Sequence, residues 1–224
     1  MRERARSAED KEQRAEALLE AAESLAIELG GVRHVTVAAV TERAGLHRTG
    51  VRRYYASKED LLLELAERGW ARWRDAVIER LGDQTGLAPG QVADVIAETI
   101  ILLPVFCDLL AHVPMSIEGD VDIERARRYK TRAFAAHDEI VAALEQAGSM
   151  TAEQVRSLLS ATVLLTAGLW QVSHPTPTLA ALYEQVPRWG HVALDFGPRL
   201  RCLLQATATG LAQITPGPVG AALE

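Results

Sequence analysis

The chain has 224 residues, 48% of them hydrophobic and 24% charged, with a formal net charge of −6. This is an ordinary soluble composition with enough apolar residues for a sizeable core, and the length suits one regulatory domain carrying a small extra domain. Cys107 and Cys202 are far apart and fit no metal-ligand spacing; two lone thiols suit a reducing cytoplasm, and one disulfide between them is the alternative.

The opening MRERARSAEDKEQR has no apolar run, so it reads as a frayed, charged arm and not as a secretory signal. Its four arginines (2, 4, 6 and 14) have acids interspersed, the pattern of a solvated face. From Lys11 to Leu29, Ala15, Leu18, Leu19, Ala22, Leu25, Ala26 and Leu29 recur at the spacing of one buried helical stripe. Gly30-Gly31 stops that helix. Thr36 is a good N-cap for a short helix to Ala44, with Val37, Val40 and Thr41 on one face, and Gly45 stands where a left-handed residue closes it. Leu46 and His47 complete a turn of helix-turn-helix length. The next helix, Arg48 to Tyr55, is too short to stand alone in water. Ser57-Lys58-Glu59-Asp60 then reads as a capping box opening a third, long helix that clamps the other two.

Charge singles out the same stretch. Between Arg33 and Lys58 lie six basic residues (33, 43, 48, 52, 53 and 58) against one acid, Glu42, in a chain that is −6 overall. Positive charge at that density calls for a polyanion, and the phosphate backbone is the usual one.

The run A-G-L-H-R-T-G-V-R-R-Y-Y-A-S-K-E-D-L, residues 44–61, resembles the DNA-binding signature of the TetR family of transcriptional regulators. The likeness covers about residues 14 to 65: the glycine, aromatic pair, cap and lysine all fall in register. Three positions depart from the family pattern. His47 stands where Ser or Thr is common, Thr49-Gly50 inverts the usual Gly-Thr, and Arg52 replaces a frequent Tyr. The resemblance implies an all-α fold with an N-terminal three-helix helix-turn-helix domain (residues 1–60) and a larger helical effector-binding and dimerisation domain (residues 61–224). It also implies a homodimer on an approximately palindromic operator in double-stranded DNA, released by a small-molecule effector.

Downstream, the long helix is expected to run to Leu81, with Leu62, Leu65, Gly69, Trp73, Ala76 and Val77 along one side. Gly69 marks close packing, a bend or a tolerated surface glycine. Gln91 to His112 reads as one central helix kinked at Pro104, with Pro114 interrupting again. Val121 to Ala147 is amphipathic, with Ile123, Ala126, Phe134, His137, Val141 and Leu144 on its apolar side and the basic run from Arg125 to Arg132 as a solvated face. Thr151 and Gln154 cap the next helix, and Ser157 to Ser173 carries no charge. Its Ser, Thr and Gln content argues against a membrane span, so it should be covered on all sides, the second face by a partner subunit. Pro175-Thr176-Pro177 reads as a loop. A last helix between Pro187 and Gln213 carries Leu194, Phe196, Leu200, Leu203 and Leu204, and the tail after Thr215 reads as disordered. By the family likeness, the uncharged helix and the last one pair across the dimer.

Thr36, Tyr54, Tyr55 and Lys58 are expected to hold phosphates. Arg48, Thr49 and Arg52 are the base readers, since Arg can span guanine O6 and N7. Arg53 suits either task, and His47 and Gly50 complete the DNA-binding set. Trp73, Phe106, Met115, Phe134, His137 and Trp170 are candidates for lining an effector pocket, which is mostly apolar with a few placed polar groups. No nucleophile elbow, phosphate loop, zinc-binding helix or Cys cluster is present, so no catalytic residue, metal or cofactor is assigned and an enzyme is not expected. An activator, or a regulator controlled by a protein partner, is the alternative to a ligand-released repressor. A cytoplasmic location follows from either.

Overall fold

In a computed structural model, residues 2–47, 53–192 and 195–214 are described, with side chains for 11–47, 53–190 and 195–214. Every regular element among them is helical, so the all-α expectation holds. The chain divides into two compact units, residues 1–73 with 103–136 and residues 74–102 with 137–224.

The first unit begins with α1, Arg2–Glu28. It starts well before the expected Lys11, because the opening run has no Gly or Pro and is rich in Arg, Ala, Glu and Lys, which favour helix. Leu18, Leu19, Ala22, Leu25 and Ala26 are buried as their spacing requires, but Leu29 lies beyond the helix end and is exposed. Gly30 and Gly31 both take positive φ, and the Gly31 N–H reaches the Ala26 carbonyl at 2.8 Å, closing the last turn. A 3-10 turn, Val32–His34, leads into α2, Val37–Arg43, whose free Ala39 N–H is accepted by the Thr36 hydroxyl at 3.2 Å. Gly45, at φ 66°, ends α2 as expected.

The long helix α3, Lys58–Leu81, has the predicted extent. Its cap is reciprocal. Ser57 Oγ accepts the Asp60 N–H at 3.1 Å, and Asp60 Oδ2 reaches back to the Ala56 N–H at 2.9 Å. The expected single helix from Gln91 to His112 is instead two, α4 (Pro89–Ile101) and α5 (Pro104–His112). The ring of Pro104 disfavours helical backbone at the residue before it, and Leu103 takes φ −118°, ψ 65°. Pro104 therefore starts a helix and does not kink one. Pro114 does not stop the chain either: Val113–Ile117 widens into a π-turn, followed by a 3-10 turn, Glu118–Asp120.

The next helix, α6 (Ile123–Ala147), contributes its first half to this unit. The expected apolar stripe holds at Val141 and Leu144, which are buried, but not in the first half of the helix: there Arg125, Tyr129, Ala133 and Ala136 are buried, whereas Ile123 and Phe134 are exposed. An aromatic cluster fills the centre of the unit. Trp70 meets Trp73 at 5.5 Å between ring centroids and Phe106 edge-on at 5.4 Å, and its indole N–H donates to the Tyr129 hydroxyl at 3.3 Å. Burial pushes the Tyr129 phenol up to about 12 and the Cys107 thiol likewise to about 12, so neither ionises near neutrality.

The second unit holds α4, the ends of α3 and α6, and the helices α7 (Ala152–Ser173), α8 (Pro177–Gln185) and α9 (Phe196–Gln213). The Thr151–Gln154 capping box forms as expected. Pro177, expected in a loop, is the first residue of α8, where its missing N–H costs nothing. The helix α9 packs along both α4 and α7. On α7 only Val155, Leu158, Leu159, Thr162 and Thr166 are buried within this chain, and Leu164 is 74% exposed, so the face expected to meet a partner subunit is open here. By length and hydropathy α7 matches a membrane span, yet it spends one face on α9. Leu194 and the tail after Thr215 lie outside the described residues.

Gly69 proves to be a close-packing position. A Cβ there would lie 2.2 Å from Cδ2 of Phe106, whose ring is held by Trp70 and Trp73. Ala in mid-helix gains about 1 kcal/mol over Gly, but overpacking a filled core costs about 1–3 kcal/mol. The clash should win. Gly69→Ala is expected to lower the urea midpoint at unchanged slope, and a variant as stable as the parent would refute the close approach.

Candidate nucleic-acid interface

The basic stretch is held in a frame supplied from several sides. At its upstream end, Asp108 on α5 is buried and accepts the Val32 N–H at 2.7 Å, fixing the 3-10 turn that leads to Thr36. Gly31 is needed beside it, since a Cβ there would come within 3.2 Å of the same carboxylate. Lys58 Nζ donates to the Arg33 carbonyl at 3.0 Å, so the start of α3 is tied to the same connection. Thr36, Arg33 and Lys58 are thereby brought together, although they are spread over the sequence.

The expected DNA-binding residues fall into three groups. Arg48, Thr49, Gly50 and Arg52 lie outside the described residues. On either side of them, His47 and Arg53 are exposed and Tyr54 is half-buried. Thr36 accepts the Ala39 N–H, which leaves its own O–H to donate outward, and Lys58 is half-buried with two further donors beyond its bond to Arg33. Tyr55 is a correction. It is 7% exposed, its hydroxyl points to the Ala15 carbonyl at 3.4 Å, and burial drives its pKa upward. It braces the frame against α1 and has no face left for a phosphate. Arg43, counted in the basic stretch, is also committed: both its Nη atoms bond Glu28, at 2.8 and 2.7 Å.

At the downstream end, the basic run on α6 is exposed as expected at Arg127, Arg128, Lys130 and Arg132, but not at Arg125. Arg125 is 4% exposed and bonds Asp60 and Glu67 on α3, with Glu64 at 3.4 Å. Arg132 reaches Glu67 as well. Burial alone would lower the Arg125 pKa, but the bonds to Glu67 and Asp60 outweigh it and hold the guanidinium above its usual range. A signal for this contact was present in the sequence: acids at 60, 64 and 67 and arginines at 125, 128 and 132 each fall on one helical face. Asp108 gave no such signal, because a lone acid in an apolar helix shows no partner.

The candidate effector residues do not form one cluster within either unit. Trp73 and Phe106 sit in the aromatic core of the first unit, while Met115 and Phe134 are on its surface, 85% and 61% exposed. Exposed Met115 and Phe134 are therefore not the apolar lining that was expected of them in this chain alone. In the second unit, His137 lies 3.3 Å from Asp138 Oδ1, and Trp170 stacks on His174 at 3.9 Å and meets Phe196 edge-on at 5.0 Å.

Residues 18–65 match the model of bacterial regulatory proteins of the tetR family, and residues 67–215 match the tetracyclin repressor-like C-terminal domain. The chain belongs to the TetR family. No curated protein matches it. Both characteristic parts of a TetR-family protein are thus present, and the chain is a DNA-binding transcriptional regulator of that family. TetR-family regulators are generally non-enzymatic and typically dimeric.

The placement of Tyr55 separates bracing from contact. Tyr55→Phe removes one long hydrogen bond, worth about 1 kcal/mol at most, and no phosphate partner. Operator affinity is expected to stay within about twofold of the parent in fluorescence anisotropy, with a small drop in melting temperature. A tenfold weaker complex would show that the hydroxyl reaches DNA after all.

Proposed function

We propose that this TetR-family regulator is a repressor that binds an approximately palindromic operator as a homodimer and is released by a small-molecule effector. The observation that carries the DNA-binding half is the frame. Lys58 is tied to the Arg33 carbonyl and Thr36 caps α2, while His47 and Arg53, the described residues nearest in sequence to 48–52, are exposed. In this reading Arg48, Thr49 and Arg52 face bases, Thr36, Tyr54 and Lys58 hold phosphates, and Arg53 serves at the boundary. Cytoplasmic location and absence from membranes belong to the same reading.

The dimer has its own support. From Ser157 to Ser173 α7 is uncharged, and its open face carries Ser157, Ser160, Leu164, Gly168, Gln171 and Val172. Beside it, α9 leaves Cys202, Ala206, Thr209 and Gly210 exposed at helical spacing. An uncharged face of small and apolar residues suits two close-packed helices from a second copy. Two copies would bring two readers to major-groove segments about 34–36 Å apart. For the effector, Trp170 is the position to probe first, since it is partly open and stacked on an aromatic neighbour. A ligand selective for the native state raises the melting temperature, so a metabolite library screened by thermal shift tests release against the protein-partner alternative.

Selection of bound sequences from random DNA should yield an inverted repeat. On that operator, Arg48→Ala should relax base preference at one position, a loss of about 1–3 kcal/mol, while Lys58→Ala weakens all DNA about equally and lowers the salt slope by about one. Unchanged binding by both variants would defeat the assignment. Leu164→Glu should sediment as a monomer and lose the inverted repeat, and a dimer retaining full affinity would rule out this face.

A further inference from the structure

We propose that Arg125, far from the reader in sequence, is a positioning residue for DNA binding. It rests on the DNA-binding reading above and assigns that site a support on α6. The guanidinium is buried, and every edge of it is used on α3. Nε bonds Asp60 Oδ1, Nη2 bonds the Asp60 carbonyl at 3.2 Å and Glu64 at 3.4 Å, and Nη1 bonds Glu67. Asp60 is the hinge of this arrangement. Its other carboxylate oxygen accepts the Ala56 N–H at 2.9 Å, and its own N–H is capped by Ser57 at 3.1 Å. One carboxylate therefore joins Arg125 to the turn that directly follows Arg53, Tyr54 and Tyr55.

Two residues before Asp60, Lys58 ties the same turn to the Arg33 carbonyl. A shift of Asp60 would move both Lys58 and the exit from the reader. Among the described residues, Arg125 bonds none of the candidate DNA contacts itself, so its effect passes through Asp60. Neighbouring Arg127 has no such role: it is exposed and pairs only at 3.6 Å with Glu124 on its own helix. Lys in place of Arg125 keeps the charge but cannot reach Asp60, Glu64 and Glu67 at once, because it has one nitrogen where Arg has a planar fork.

The experiment uses the full chain and the operator selected from random DNA. Arg125→Lys should stay folded and dimeric and bind the operator about tenfold or more weaker. The slope of log affinity against log salt should stay unchanged, since no phosphate contact is lost. Asp60→Asn can still accept the Ala56 N–H but loses the charge that Arg125 needs, so it should show the same weakening, and the double variant should be no worse than either single one. Arg127→Gln should bind as the parent does. A slope lower by about one would make Arg125 a direct phosphate ligand and overturn the proposal. So would full affinity in Arg125→Lys or in Asp60→Asn, including the case in which only the melting temperature falls. If the parent itself selects no sequence, the DNA-binding reading fails first; if it does and the variants match it, only the role of Arg125 falls.

Discussion

A helix of seven residues cannot hold itself together in water, and α2 has that length. The described backbone on either side of residues 48–52 is held by contacts with longer helices. The first unit is built around that requirement. Below the basic stretch α1 supplies an apolar stripe with Tyr55 wedged against it, at the upstream end Asp108 holds the Val32 N–H, and at the downstream end Asp60 holds the Ala56 N–H. One of these three supports, Asp108, follows residue 102, and a second, Asp60, is itself bonded by Arg125. The reader is thus a local motif in sequence but not in energetics.

Both outer supports use ionised groups out of water, which is costly unless every donor and acceptor finds a partner. Asp108 is satisfied by a backbone N–H, with His112 Nδ1 at 3.5 Å from its other oxygen. Arg125 is satisfied by three acids, and Arg132 balances the charge on Glu67. Such groups add little net stability compared with well-packed apolar residues, but removing one partner costs about 3–5 kcal/mol. That asymmetry favours geometry over strength: the contacts tolerate few alternative arrangements, which suits a surface whose spacing has to match a duplex.

What could be read from the chain was what depends on local periodicity and caps. The α1 stripe, the Thr36 and Thr151 caps, Gly45, the extent of α3 and the all-helical class all follow from neighbours within a few residues. What could not be read depends on which face meets a distant partner. The apolar residues of α6 gave a stripe through Ile123 and Phe134, yet the buried one passes through Arg125 and Tyr129, because an ion cluster and an indole–phenol bond outweighed the aliphatic pattern there. Tyr55 failed in the opposite sense. In a basic stretch a tyrosine reads as a phosphate ligand, and only its contact with Ala15 shows it facing inward. By sequence Pro104 reads as a kink and Pro177 as part of a loop, whereas each is the first residue of a helix, where proline is well placed.

The uncharged run of α7 shows the limit from another side. Its composition demands burial around the whole helix, but α9 accounts for only one face. An exposed apolar face on a soluble helix has to be reconciled with water, and the face through Leu164 and Gly168 has neither charge nor bulk to do so. In a family that is typically dimeric, a second copy would cover this face. On the reading proposed above, the same copy would double the number of readers, so that the face α7 leaves open would be the one that sets operator symmetry.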